Sequence, residues 1–214
     1  ARIELLDAWQ MRASAAYSGL DLPAAPHLFV EFHGAPEVVA AQAGTFAALA
    51  ADAGGGPFES SADAAEQARL WRARHDAFWA MKAFWPGTEA LIADACVPLS
   101  ALPECIEATR ADMDAHGLVG PIAGHVGDGN FHAGVCIDPG DPASRRAALD
   151  FAGRLARRAI ALDGTCTGEH GVGAGKIEVA AEERAGGLPY ARAIKAAFDP
   201  LGILNPGKML PPGP

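Results

Sequence analysis

The segment 124–136, which reads GHVGDGNFHAGVC, restricts the fold of this chain more than any other stretch of its sequence. Its four glycines make a helix unfavourable, because a glycine in a helix interior costs about 1 kcal/mol relative to alanine. Asp128-Gly129 is a favoured residue pair for a two-residue type I′ turn. We therefore predict a β-hairpin within residues 118–137, which requires antiparallel strand pairing.

A turn centred on Asp128 and Gly129 would set His125 and His132 opposite each other on the two strands. Their Cβ atoms would lie roughly 4.5–5.5 Å apart on one face of the hairpin, so that both imidazoles could reach one metal ion at about 2.0–2.1 Å. Asn130 shares that face. Two histidines in register are equally compatible with hydrogen-bonded structural side chains, so a metal site needs a third ligand.

The segment TGEHGVGAGK at 167–176 supplies that third ligand. Glu169 and His170 add a carboxylate and an imidazole in a glycine-flanked loop, which can direct side chains into a cleft at little backbone cost. Two histidines and a carboxylate make a catalytic type of metal site, in which one position stays open for water or substrate.

The same segment fails the two common phosphate-binding motifs. His170 and Ile177 stand where a Walker A motif needs glycine and serine or threonine, and glycines spaced by twos do not fit G-x-G-x-x-G. We interpret the segment as a loop that needs positive φ to approach a ligand or another backbone closely.

The rest of the chain alternates predicted helices and short strands. We predict strands at 2–7, 27–33, 57–60 and 90–97, and helices at 36–53, 61–81, 100–117 and 144–162, with one more helix that ends near Phe198. The tail DPLGILNPGKMLPPGP then excludes regular structure. This order predicts an α+β fold in which helices pack on one face of an antiparallel, ferredoxin-like sheet, followed by a C-terminal helical and irregular segment.

Charge and apolar patterning exclude several classes of protein. The chain has 214 residues and a formal net charge of −9, which argues against a nucleic-acid binder, because such a protein needs a basic face toward phosphates. Every apolar stretch is interrupted before the ~20 residues of a membrane span, and the first residues, ARIELLDAWQ, lack the order of a signal peptide. We expect a soluble, non-secreted and cytoplasmic protein.

The four cysteines are predicted to be free thiols. No two of them stand at the C-x-x-C spacing of a zinc knuckle or a redox pair. In a reducing compartment they are most simply small buried apolar residues rather than disulfides. They are Cys96, Cys105, Cys136 and Cys166.

Eight segments in order resemble the C-terminal domain of FAD-linked 2-hydroxy-acid dehydrogenases in the vanillyl-alcohol oxidase superfamily. That group includes cytochrome-type D-lactate dehydrogenase and the glycolate oxidase flavin subunit, and the resemblance is strongest to the D-lactate dehydrogenase branch. The segments are ARIELLD, MRASAAYSGLDLP, LFVEFHG, LWRARHDAFWA, DACVPLS, GHVGDGNFH, TGEHGVGAGK and LGILNPGKML. The combination of GHVGDGNFH, GEHGVG and NPGK is specific.

The resemblance implies that residues 1–214 are the substrate or cap domain of a longer flavoprotein, whose N-terminal domain binds most of the FAD. The tail 200–214 is then expected to return toward that flavin domain. A fragment of this kind is expected to be inactive alone.

The resemblance also implies roles for particular residues. His125, His132 and Glu169 correspond to the ligands of a zinc or manganese ion, and His170 to the general base. Arg74, on the W-x-x-R helix, corresponds to the residue that holds the substrate carboxylate, although a solvated helix residue is the alternative. Asn130 is a further candidate for substrate binding because it shares the face of His132. Asn205 and Lys208 of NPGK are expected near the flavin or the domain junction.

The implied reaction is oxidation of a D-2-hydroxy acid to the 2-oxo acid, with hydride transfer to FAD. Gly134 and Ile92 stand where the 2-hydroxyglutarate branch has Asn and Lys, and both changes remove partners of a second carboxylate. We therefore predict a monocarboxylate substrate such as D-lactate, although Trp79 and Trp85 nearby can equally be core residues. A cytochrome, a quinone or an electron-transfer flavoprotein would accept the electrons. A homodimer and a peripheral position at the inner membrane face stay open.

Two other functions use the same side chains. A metal-dependent hydrolase would activate water with Glu169 or His170 and would be active as this chain alone. A structural metal in an interaction module would need a closed fourth ligand, for which Cys166 is the nearest candidate in the sequence.

Overall fold

Within residues 2–212, which the computed structural model describes, five strands form one antiparallel sheet in the order β2-β1-β4-β5-β3. The strands are β1 (Arg2–Leu6), β2 (His27–Glu31), β3 (Glu89–Cys96), β4 (Ile122–Gly124) and β5 (Asn130–Ile137). The helices are α1 (Ala8–Ser18), α2 (Pro36–Asp52), α3 (Ala64–His75), α4 (Ala77–Phe84), α5 (Leu102–Ala115), α6 (Pro142–Ala161), α7 (Ile177–Glu183) and α8 (Leu188–Phe198). The predicted α+β class and antiparallel sheet are confirmed.

The chain divides into two compact units. The first comprises Ala1–Pro86 and Ala123–Gly127, and the second comprises Gly87–Ile122 and Asp128–Pro214. In the described part of the chain, no helix combines the length and the apolar character that crossing a bilayer requires.

In the first unit, α1 is a helix that the sequence analysis did not predict. Asp7 caps its start by accepting a hydrogen bond from the Gln10 backbone at 2.8 Å, and Gly19 ends it with φ of 64°. Its buried face is partly polar, since Gln10 and Ser14 donate to the backbone carbonyls of Ala77 and Ala73. Such a face lacks the apolar periodicity by which a helix is recognised in sequence.

Two other expectations for the first unit are wrong. Residues 57–60 form no strand, and the helix predicted at 61–81 is interrupted at Asp76, which separates α3 from α4. Aspartate is a weak helix former, and Asp76 has φ of −85° and ψ of 8°. Helix α3 is capped by Asp63, whose side chain accepts from the Glu66 backbone at 2.9 Å.

In the second unit, β3 and β5 present two different faces. Their Cα register pairs Ala93 with Ala133 and Ala95 with Phe131, and these four residues are buried beneath α6. Residues alternate between the faces of a strand, so the intervening positions lie on the opposite face. That face carries the polar residues Asp94, Cys96, Asn130 and His132. The expected packing of helices on one sheet face therefore holds for this pair of strands.

The predicted two-residue turn is wrong. Strand β4 ends at Gly124 and β5 begins at Asn130, so five residues connect them. The Gly134 backbone donates to Pro121 at 2.9 Å, whereas the predicted turn would have set position 123 opposite Gly134. A physical reason lies in β1, because the Gly127 backbone donates to Ile3 at 3.1 Å and so pairs the connection with β1.

The connection retains one predicted feature, its requirement for glycine at position 129. Gly129 has φ of 78°, and a Cβ atom there would lie 2.2 Å from the Val97 carbonyl oxygen. His132 remains on β5, but His125 lies in the connection rather than on a strand.

Candidate metal centre

In the first unit, Glu4 on β1 contacts two of the predicted site residues. Its side chain is nearly fully buried, with Oε1 2.8 Å from Nδ1 of His125 and Oε2 2.9 Å from Nε and Nη2 of Arg74. A carboxylate at this distance holds the imidazole proton on Nδ1, so His125 would bind a metal through Nε2. Arg74 is only 14% exposed and ion-paired, so it is not a solvated helix residue.

In the second unit, β5 and the loop after α6 bring three of the predicted residues together. His132 Nε2 lies 3.0 Å from Glu169 Oε1, and the rings of His132 and His170 stack with centroids 4.8 Å apart. His132 is mostly buried, whereas His170 and Glu169 are each more than 40% exposed. A protected imidazole beside a more accessible carboxylate and second imidazole is a suitable arrangement for holding a metal and a substrate.

Asn130 lies on the same face of β5, two residues from His132. It is 94% buried, and its Oδ1 atom makes no hydrogen bond to any described residue. The loop approaches it so closely that a Cβ at Gly168 would lie 2.2 Å from Oδ1. Gly168 is therefore a position where a close approach requires glycine. The predicted positive φ is observed further along the loop, at Gly171 (77°) and Gly173 (53°).

Asp94 and Lys176 hold this loop, and neither residue was predicted from the sequence. The backbone N–H groups of Gly168, Glu169 and His170 donate to Asp94 Oδ2 at 2.8, 3.0 and 3.2 Å. Lys176 donates to Asp94 Oδ1, and also to the Asp94 carbonyl at 3.1 Å and the Cys166 carbonyl at 2.7 Å.

These hydrogen bonds lower the pKa of Asp94. Burial alone would raise it, but the hydrogen bonds from Lys176 and the loop backbone, with the Lys176 charge, bring it below its usual value. A lone aspartate inside the apolar run ALIADACV is the signal that could have identified this residue. No local pattern identifies Lys176, which ends a segment that fits neither phosphate-binding motif.

Cys166 does not suit the role of a fourth metal ligand. It is fully buried and packs in an apolar cluster with Val172, Val179 and Ala180. Burial, together with the nearby Glu183, raises the pKa of its thiol to about 11. The described residues contain no disulfide, and Cys105 is also buried, whereas Cys96 and Cys136 are only half-buried rather than buried as expected.

The tail that carries Asn205 and Lys208 is irregular, as predicted, and both residues are exposed. It is tied to the second unit at two points. The buried Asp199 accepts hydrogen bonds from the backbones of Ile203 and Leu204 at 2.9 Å each. Further on, the Met209 backbone donates to the Gly173 carbonyl at 2.7 Å, which sets the end of the tail beside the glycine-rich loop.

Two residues that were singled out for substrate choice are neighbours. Ile92 on β3 and Gly134 on β5 pair directly across the strands, on the face that carries Asp94 and His132. An apolar side chain and a glycine thus lie side by side at one place on this face. Trp79, in contrast, is 61% exposed and is not a core residue.

This fold and these side chains match one protein family. A family model described as FAD linked oxidases, C-terminal domain, matches residues 1–209. The chain therefore belongs to the FAD-linked oxidases, as their C-terminal domain, which confirms the resemblance inferred from the sequence.

Its curated relatives include D-lactate dehydrogenases. The chain is 44% identical over 211 residues to a probable mitochondrial D-lactate dehydrogenase of Danio rerio, covering 98% of the chain and 42% of that protein. It is 39% identical over 212 residues to the mitochondrial D-lactate dehydrogenase [cytochrome] of Arabidopsis thaliana, covering 99% of the chain and 37% of the relative. Glycolate oxidase subunit GlcD of Escherichia coli K12 is 29% identical over 212 residues, covering 98% of the chain and 42% of the subunit. The chain thus spans well under half the length of these relatives.

A solved structure shares the fold. The 4-ethylphenol oxidase from Gulosibacter chungangensis, in its isoeugenol complex, aligns with a TM-score of 0.65 over 98% of this chain and 47% of that chain. The two sequences are 18% identical, so this likeness concerns the fold alone.

Proposed function

We propose that this chain is the metal- and substrate-binding part of a flavin-dependent dehydrogenase that oxidises a D-2-hydroxy acid, D-lactate above all, to the 2-oxo acid. The observation that carries the proposal is the contact of His132 with Glu169 beside the stacked ring of His170. Membership of the FAD-linked oxidases and the similarity to D-lactate dehydrogenases and a glycolate oxidase subunit support this class of reaction.

The proposed metal ligands are Nε2 of His125, Nε2 of His132 and a carboxylate oxygen of Glu169. Together they offer two imidazoles and one carboxylate, a set that suits zinc or manganese. The 3.0 Å between His132 Nε2 and Glu169 Oε1 is close to the separation of two atoms that each bind zinc at about 2.0–2.1 Å. Glu4 fixes the ring of His125 in the manner of a carboxylate that supports a ligating histidine.

Each remaining side chain has a part in the reaction. His170 accepts the proton of the substrate 2-hydroxyl, and Arg74 pairs with the substrate carboxylate. Asn130 directs its buried Oδ1 toward a donor on the substrate. The metal, when bound, lowers the pKa of the substrate hydroxyl, and FAD, when bound, is the hydride acceptor. In the whole protein, Asn205 and Lys208 would contact the flavin domain, and a cytochrome, a quinone or an electron-transfer flavoprotein would receive the electrons.

The proposed preference for a monocarboxylate follows from Ile92 and Gly134. Their adjacent positions offer no charged or hydrogen-bonding side chain to a second carboxylate. D-lactate carries a methyl group there, which an apolar neighbour accommodates.

The first test is the metal content of the purified chain. We expect one zinc or manganese per chain by elemental analysis, and its loss in His132→Ala and Glu169→Gln. His116→Ala is the matched control, because this exposed histidine pairs with Asp112 on α5 and should leave the metal in place. Equal metal content in all four proteins would refute the proposed ligands. The second test is D-lactate oxidation by the full-length flavoprotein with an artificial electron acceptor.

A further inference from the structure

We propose that Asp94, with Lys176 as its counter-ion, is a positioning residue that fixes Glu169 and His170 against His132. The inference rests on the proposed function for what those three side chains do. The anchoring itself depends only on contacts within the second unit.

Three consecutive backbone N–H groups converge on one oxygen of Asp94. They belong to Gly168, Glu169 and His170, and their donor–acceptor distances are 2.8–3.2 Å. The Asp94 side chain has no exposed surface, so this acceptor is fixed within the fold, whereas the three loop residues themselves are exposed. Hydrogen bonds to a charged acceptor are the stronger kind, so one carboxylate orders the backbone of this loop.

The position of Asp94 in the sheet explains why the loop lies beside His132. In the register of β3 and β5, Asp94 and His132 are directly opposite, and their side chains share a face. Any loop backbone bound to Asp94 is thereby held beside His132. The contact of Glu169 with His132 and the stacking of His170 on the same ring follow from that geometry.

Lys176 completes the anchor at both ends of the loop. Its ammonium donates to Asp94 and to the Cys166 carbonyl. One cation therefore links Cys166, the residue before the loop, to the aspartate that binds the loop backbone. Lys176 also neutralises the buried carboxylate, which would otherwise add a negative charge near Glu169. Lys176, the last residue of GVGAGK, thus holds the loop in place and does not need a phosphate ligand to explain it.

The test compares Asp94→Asn and Asp94→Ala with Asp112→Asn. Asp112 is the matched control, because it is also an aspartate of the second unit with a nearly buried side chain and cationic partners, but those partners, Arg154 and Arg158, lie on α6. Asp94→Asn keeps the shape and loses the charge that holds Lys176, and serves if Asp94→Ala does not fold. Two quantities are measured: amide hydrogen exchange of residues 168–170 without metal, and zinc affinity by competition titration.

We expect the Asp94 variants to exchange these amides at least 10-fold faster and to bind zinc 10- to 100-fold more weakly, as is typical when the support of a metal ligand is lost. Asp112→Asn weakens the pairing of α5 with α6, but it should match the wild-type chain in both measurements, because an exposed loop exchanges its amides by local opening rather than by global unfolding. Wild-type zinc affinity in folded Asp94→Asn would overturn the positioning role, as would equal losses in Asp112→Asn.

The two proposals fail in distinguishable ways. A wild-type chain that binds no zinc would contradict the proposed metal site. In that case the amides of residues 168–170 decide the anchoring alone: faster exchange in the Asp94 variants supports it, and unchanged exchange overturns it.

Discussion

Glu4 shows how much a single buried side chain contributes to a site of this kind. It lies on β1, more than 65 residues from Arg74 and more than 120 from His125, and it contacts both. Its two oxygens are divided between them, so one carboxylate orients a candidate metal ligand and a candidate substrate-binding arginine. Removing its charge should therefore disturb both.

Glu4→Gln is expected to lower zinc affinity by about 10- to 100-fold, because the imidazole of His125 loses the carboxylate that orients it. The measurement is a competition titration with a chromophoric chelator. Glu31→Gln is the matched control, since Glu31 is also on a strand of the first unit but forms an exposed pair with Arg2. Equal zinc affinity in Glu4→Gln and the wild-type chain would contradict the role of Glu4.

Gly168→Ala is expected to destabilise the fold by about 1–3 kcal/mol, because its methyl group would meet Asn130 Oδ1 at 2.2 Å and force the loop or the amide to move. Gly175→Ala in the same segment is the control, since a Cβ there meets no atom within 4 Å. Urea unfolding measures both changes. A Gly168→Ala midpoint equal to that of Gly175→Ala would show that the loop has room to shift.

At the scale of elements, charged side chains join α5 to α6. Arg154 and Arg158 on α6 donate to the buried Asp112 of α5 at 2.6–3.1 Å. Burial alone would raise the pKa of Asp112, but these hydrogen bonds and charges bring it below its usual value. A lowered folded-state pKa means that the ionised carboxylate stabilises the fold at neutral pH.

Asp112→Asn is expected to lower the free energy of unfolding by about 1.5–3 kcal/mol at pH 7, the range for hydrogen bonds to a charged group. The stabilisation is complete above the unfolded-state pKa of about 3.9 and is lost as the pH falls through the lower folded-state pKa. The difference between the two proteins should therefore shrink below about pH 4. Urea unfolding at a series of pH values measures it, and a difference that is constant with pH would refute the electrostatic explanation.

At the scale of the whole molecule, the chain belongs to a family whose curated relatives are more than twice its length. The prediction about substrate choice is therefore to be tested with the full-length flavoprotein rather than with this chain alone. There, specificity is the ratio of kcat/KM values for two acids, and it reports differences in transition-state binding.

The double variant Ile92→Lys with Gly134→Asn is expected to shift the kcat/KM ratio at least 10-fold from D-lactate toward D-2-hydroxyglutarate. The lysine and asparagine would provide a charge-assisted hydrogen bond for the second carboxylate. Ile92→Met, which conserves the apolar character, should leave the ratio unchanged. An unaltered ratio in the double variant would show that the second carboxylate binds elsewhere.

Local sequence patterns were enough to predict a strand on each side of the Asp128-Gly129 connection, the glycine-dependent loop and most helices. Glycine and proline act within a few residues, so their effects can be recognised without tertiary contacts. The α+β class followed from the same local signals. The side chains His125, His132 and Glu169 were selected by residue chemistry and by resemblance to a family.

Only the tertiary structure decided which buried charges support these residues and how long the connection between β4 and β5 is. Asp94 and Lys176 are 82 positions apart, Glu4 and His125 are 121 apart, and a pairing with β1 lengthens the connection. The sequence by itself determined the local backbone preferences and the donor groups available. Their partners depended on folding, because a buried charge is stable only beside the particular group that the folded chain brings to it.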